Sequence, residues 1–244
     1  MTADSTEQAS FPPGYEPHIG ETRQYWRDII LGVNDGLVSM FLLVVGVAGG
    51  GLTPDQVLLT GVAGALAGAV SMGAGEYLAT KSQDEVLEAE LKLERSHIAE
   101  FREMELSQLR GMFADMGVRD EDLDSVVAAF DHSDTALLNA MKALEFGVVD
   151  SERRSPYLAM AASGLLFLLG SLPSVIPFML TDSIPLAVTW ATVLALSGLF
   201  AVGVVKASVT RASWVKAGLE NMVIAGLGGV VAWFIGDLVG ATLA

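Results

Sequence analysis

Two small sets of side chains carry the chemistry open to this sequence. The first is Asp35, in Gly32-Val-Asn-Asp-Gly36, with Met72 and Glu76 in Ser71-Met-Gly-Ala-Gly-Glu76. Met72 and Glu76 are four residues apart and share a helix face, and the glycines between them leave backbone room beside it. Asp35 sits about two turns into an apolar stretch that starts near Ile29. A carboxylate at mid-bilayer costs about 2.5–3.5 kcal/mol and less near the interface, so such an acid is read as functional before it is read as an interfacial cap. Carboxylate plus thioether suits a borderline divalent transition ion better than Ca²⁺ or Mg²⁺, which favour all-oxygen shells.

The second set is Glu94, His97, Phe101, Glu105 and Gln108, which advance by three or four residues and form one stripe if they lie on one helix. Met141 and Glu145 are an i,i+4 pair on a later helix that could fold against the stripe, adding a thioether and a carboxylate. The same stripe also reads as a solvated acidic face. Glu94-Arg-Ser-His97 has the Glu-x-x-His spacing of di-iron bundles. Those bundles need a second copy of the motif and two further Glu helices, so an oxidase fits poorly.

The elements that position these residues follow from charge segregation. Gly36 to Pro54, Gln56 to Gly75, Ser155 to Thr181, Ser183 to Val205 and Asn221 to Gly236 contain no Asp, Glu, Lys or Arg. Each is near or above the roughly 18–20 residues that cross a hydrocarbon core, if the first and last extend a turn past a flanking charge. The chain is read as an all-α integral membrane protein with five transmembrane helices and a cytosolic three-helix domain between helices two and three. A polar stretch precedes the first run and no basic n-region is visible, so that run is read as a span, not a cleaved signal. Pro173 and Pro177 predict a kink or break midway along the third span.

All 14 basic residues fall on one side of these spans, and the short loops around Asp55 and Asp182 have none. The positive-inside rule therefore places the N-terminus and the large loop in the cytosol. The expected organisation is a polar segment over 1–27, spans one and two over 28–80, an acidic metal-binding domain over 81–155, and spans three to five over 156–244. The domain carries 18 acidic and 9 basic residues. Helix two is expected to run into it as one rod up to Gly111. A short helix over Glu121 to Phe130 follows, capped by Asp120, and a third starts after a Ser133 cap and stops at Gly147.

Of 244 residues 52% are hydrophobic, and the net charge is −15. That charge argues against nucleic acid as a partner, since phosphate binding needs a basic surface. The absence of cysteine excludes disulfides, zinc–thiolate sites, iron–sulfur clusters and thiol nucleophiles, so a metal must be held by O, N or thioether ligands. Gly64-x-x-x-Gly68 and Gly236-x-x-x-Gly240 permit close helix contact, between subunits or within one.

Gly32-Val-Asn-Asp-Gly-Leu-Val-Ser39 with Val45-Gly-Val-Ala-Gly49, then Ala67-Gly-Ala-Val-Ser-Met-Gly-Ala-Gly-Glu-Tyr-Leu78 with Lys81-Ser-Gln83, resemble the first two spans of the vacuolar iron transporter family. Ser155-Pro-Tyr and Gly170-Ser-Leu-Pro173 are similar to its third. The resemblance runs from about Pro17 to the C-terminus. It implies five spans per subunit, a homodimer with the ion path between subunits, and export of Fe²⁺, often also Mn²⁺, from the cytosol in exchange for protons. It places Asp35 and Met72 on the path, and Glu94, Glu105, Met141 and Glu145 in a metal-gathering cytosolic domain. This chain departs from the pattern at His97 and Gln108, where Glu is usual, and at Lys142, where a second Met is common. Neutral Gln is a weaker ligand and Lys142 repels a cation, so affinity, stoichiometry or metal preference is expected to differ.

The expectation is a proton-coupled transporter rather than an enzyme, with Fe²⁺ or Mn²⁺ as transported ion and no prosthetic group. Its membrane would be the plasma membrane in a prokaryote or a vacuolar-type membrane in a eukaryote. The alternative, a membrane-tethered metal sensor or buffer, explains the acidic domain but leaves Asp35 and Met72 idle.

Overall fold

The computed structural model describes residues 23–147 and 154–243. Most of the polar N-terminal segment and the stretch 148–153 lie outside the described residues. Among the described residues eight helices follow in order: α1 (Arg23–Gly49), α2 (Pro54–Glu100), α3 (Arg102–Asp115), α4 (Asp120–Asp131), α5 (Asp134–Leu144), α6 (Pro156–Leu180), α7 (Ile184–Thr210) and α8 (Trp214–Leu243). Five of them, α1, α2, α6, α7 and α8, are long and apolar enough to cross a membrane.

Helix α1 is the centre of the bundle and packs on α2, α6, α7 and α8. Small residues set how closely it does so. Val57, Gly61, Ala65, Ala69 and Gly73 are buried along one side of α2, and Ala187, Ala191, Ala195, Leu199, Gly203 and Ala207 along one side of α7. Four-residue spacing of small side chains lets helix backbones approach closely where lipid supplies no hydrophobic drive. Gly36 of α1 lies against the Phe167 carbonyl and Gly170 of α6, and a side chain on either glycine would strike the facing backbone. Gly236 and Gly240 of α8 sit in the same way on Gly46 of α1 and on Gly50 just after it, so this small-residue pair serves packing within the chain.

Helix α2 starts at Pro54 after Thr53, whose backbone N–H donates to Gln56 Oε1 at 3.0 Å. Its 47 residues make a rod of about 70 Å, more than twice a hydrocarbon core of about 30 Å. The second half therefore projects beyond the bundle; α3 and α5 pack on its end, and α4 packs on those two helices.

Four sequence expectations need correction. The rod does not reach Gly111: α2 ends at Glu100, and Phe101 (φ −132°, ψ 36°) turns the chain back into α3. The projecting part of α2 is thus joined by three separate helices, where two were expected. Asp120 is the first residue of α4 rather than its cap; Arg119 holds the extended capping position, and Asp120, Glu121 and Asp122 load the first turn with the charge favoured at a helix N-terminus. Of the kink or break expected at Pro173 and Pro177, the break does not occur: α6 runs through both as one helix. Ser133 does cap α5, accepting from Ala136 N–H at 3.4 Å, but that helix ends at Leu144, ahead of the positive-φ Gly147.

Candidate functional site

The membrane-level residues meet where α1 crosses α2. Asp35, Ser39, Met40 and Leu43 of α1, Gly64, Gly68, Ser71 and Met72 of α2, and Phe167 of α6 line an open groove of about 440 Å³. Asp35 Oδ1 accepts from Ser39 Oγ at 3.0 Å, one turn along the same face. Met72 packs against a small core of Met40, Ala65, Ala69, Phe167 and Val175. The close fit of Gly36 on α6 fixes the rotation of α1, and with it the direction of the neighbouring Asp35. The groove thus pairs a hard carboxylate with a soft thioether, beside the hydroxyls of Ser39 and Ser71, a donor set that ranks transition ions above Mg²⁺ and Ca²⁺.

Glu76 does not line that groove. It lies one turn further along α2, with Oε1 3.9 Å from Arg154 Nη2, and the same guanidinium nitrogen donates to Asp28 Oδ2 of α1. Ser39, Phe167, Asp28 and Arg154 were not singled out from sequence. Asp28 lies seven residues before Asp35, so it had a helix-face signal; Arg154 registered only as one more basic residue on its side of the membrane.

At the far end of α2 the turn at Phe101 builds the second site. Arg102 anchors α3 by donating from Nε to Asp131 Oδ1 and from Nη1 to Asp134 Oδ1, each at 2.6 Å. Ile98, Leu109, Leu137, Ala140 and Met141 form the small core beneath. Above it Glu94, His97 and Glu105 each bring one ligand atom within 4.8 Å of the others. His97 Nδ1 is 3.4 Å from Glu105 Oε1. Glu94 and Glu105 are both 4% exposed, and Glu94 Oε1 and Glu105 Oε2 have no hydrogen-bond partner. Burial, then the charges of Glu105 and Glu145, push the Glu94 carboxyl up to about 7 against a lowering by His97. Two buried carboxylates with unsatisfied oxygens beside an imidazole are costly unless a proton or a cation is present.

The other predicted ligands are placed differently. Glu145 follows the end of α5, near enough for its charge to act on Glu94. Met141 is fully buried in the apolar core, and Gln108 is exposed. Lys142 is buried, and lines a groove between α2 and α5 with Lys92 and Arg95.

Fold and sites together define a polytopic helical membrane protein with polar and thioether groups at membrane level and an acidic helical domain at one end. Its sequence matches the VIT family profile over residues 26–237, and the chain belongs to that family. It is 30% identical over 213 residues to vacuolar iron transporter 1 of Arabidopsis thaliana, covering 87% of this chain and 85% of the relative. Identity to the vacuolar iron transporter of Toxoplasma gondii is 27% over 241 residues, 93% of this chain and 80% of the relative. Protein CCC1 of Saccharomyces cerevisiae is 24% identical over 221 residues, 87% of this chain and 68% of the relative.

Proposed function

We propose that this chain is a transporter that moves Fe²⁺, with Mn²⁺ as a second cargo, out of the cytosol in exchange for protons, and that the domain around Glu94, His97 and Glu105 collects the metal. The observation that carries the reading is the groove: Asp35 and Met72, from two different helices, face one open space at membrane level. A carboxylate can be neutralised by either a proton or a metal ion, so a single Asp35 can exchange one for the other, while Met72 selects for softer ions. The names of the Arabidopsis thaliana and Toxoplasma gondii relatives support iron as the cargo.

In this reading the acidic domain is cytosolic, as the basic residues predict. The transporter is a homodimer. Asp35 is exposed on the isolated chain, and a carboxylate facing lipid is costly, so a second copy closing the groove supplies the missing wall. The test is metal flux in proteoliposomes under an imposed pH gradient, with Fe²⁺, Mn²⁺, Co²⁺ and Zn²⁺ compared. A protein that bound metal but moved none would be the tethered sensor or buffer instead.

A further inference from the structure

We infer that the groove between α2 and α5 on the projecting domain binds the phosphate group of a small soluble molecule, with Lys92 and Arg95 as its recognising residues. The site is separate from the metal cluster and does not depend on transport.

The segment 81–155 carries 18 acidic and 9 basic residues, so a cation there readily finds a carboxylate. Most do. Lys81 pairs with Glu85, Arg102 with Asp131 and Asp134, Arg110 with Asp124, Arg119 with Glu121 and Asp122, and Arg154 with Asp28. Lys142 has an interaction of its own as well. Among the described residues of this segment, Lys92 and Arg95 are the basic side chains that make neither an ion pair nor a hydrogen bond. They stand three residues apart on one face of α2, and both line the same groove.

The groove has a volume of about 590 Å³, the size of a small-molecule site rather than of a bare ion. Asn139 and Lys142 of α5 and Glu88 of α2 also line it. Lys142 is 7% exposed, so a buried ammonium forms part of the wall. Glu88 is the one carboxylate among the lining residues, and it has a further interaction; recognition therefore falls to Lys92 and Arg95. Like charges three residues apart on a helix repel, and an anion between them turns that repulsion into attraction. Arg95 offers a planar fork for two phosphate oxygens, Lys92 a mobile point charge, and the Asn139 amide a neutral donor.

Position along α2 decides between a soluble phosphate and a lipid headgroup. A hydrocarbon core of about 30 Å takes up about 20 residues from Pro54, and Lys92 lies about 25 Å further along the axis. That is well beyond a headgroup layer of about 5–8 Å. A soluble ligand bridging α2 and α5 ties together two helices of the projecting domain and stabilises it by mass action.

Calorimetric titration of the full chain in detergent, freed of metal by a chelator, with pyrophosphate as the probe tests this. Wild type should bind at one site per chain, and inorganic phosphate should bind there more weakly because it brings less charge. The double variant Lys92→Gln with Arg95→Gln should lose affinity about tenfold or more, the size of two lost charge-assisted contacts. Lys92→Arg with Arg95→Lys keeps the charge and should retain most of it. Arg119→Gln, which alters a base already paired elsewhere in the domain, should bind as wild type does. No saturable binding by wild type overturns the inference, and so does equal affinity in wild type and the double Gln variant. Binding that is absent with free pyrophosphate and appears only with phosphatidylglycerol vesicles would overturn the assignment to a soluble ligand.

Discussion

His97 Nδ1 lies 3.4 Å from Glu105 Oε1 although the two residues belong to different helices, on either side of the turn at Phe101. On one continuous helix Glu94 and Glu105 would stand about 16 Å apart along the axis, too far to share an ion. The turn brings Glu94, His97 and Glu105 within 4.8 Å of one another. The site is therefore a product of tertiary folding rather than of a stripe on a rod.

Replacing Glu94 and Glu105 together by Ala should lower metal affinity and slow transport at low metal concentration. Flux at saturating metal should be largely retained, since the groove at Asp35 and Met72 is untouched. Mn²⁺ titration of flux reads both limits; a double variant with the wild-type concentration dependence would reduce the cluster to an acidic surface.

The raised carboxyl of Glu94 predicts a pH dependence of definite sign. Its folded value, about 7, lies above the ordinary 4.5, so protonation stabilises the metal-free domain. That stability is fully present below the unfolded value and is lost as pH rises through about 7. Metal needs the charged form, so affinity should rise with pH up to about 7, and binding below it should release a proton. Calorimetry in buffers of different ionisation enthalpy measures that proton; no proton released at pH 6 contradicts the assignment.

Much of this architecture was legible from the distribution of charge. The uncharged runs located all five long apolar helices, because a span admits few charges and has a fixed minimum length. The face shared by Met72 and Glu76 was also readable, but not their separation into groove and ion cluster, since Arg154 comes from another part of the chain. The turn at Phe101 had no local signal: neither Gly nor Pro is present there. It is decided by contacts distant in sequence, from Arg102 to Asp131 and Asp134 and from Leu109 to Leu137 and Met141. Nor did Pro173 and Pro177 break α6, because a helix packed among neighbours tolerates them.

The crossing of α1 on α6 should be intolerant of added side chains. Gly36→Val places side-chain atoms on the Phe167 carbonyl, and such overpacking costs about 1–3 kcal/mol. Thermal unfolding in detergent should show a lower midpoint for Gly36→Val. Gly75→Val, where a Cβ meets nothing within 4 Å, should fall by much less; equal losses would contradict the packing described.

Since the chain has no cysteine, single cysteines report sidedness without background. Substitutions at Asp55 and Asp182 should be labelled from the side opposite to one at Glu121. Labelling of all three from one side would overturn the topology.

The most direct test of the central claim is Fe²⁺ and Mn²⁺ flux in proteoliposomes for wild type, Asp35→Asn and Met72→Ala. Wild type should move both ions with counter-movement of protons. Asp35→Asn should insert normally and lose most flux, and Met72→Ala should lose most flux together with discrimination against Mg²⁺ and Ca²⁺. Normal transport by Asp35→Asn would contradict the account.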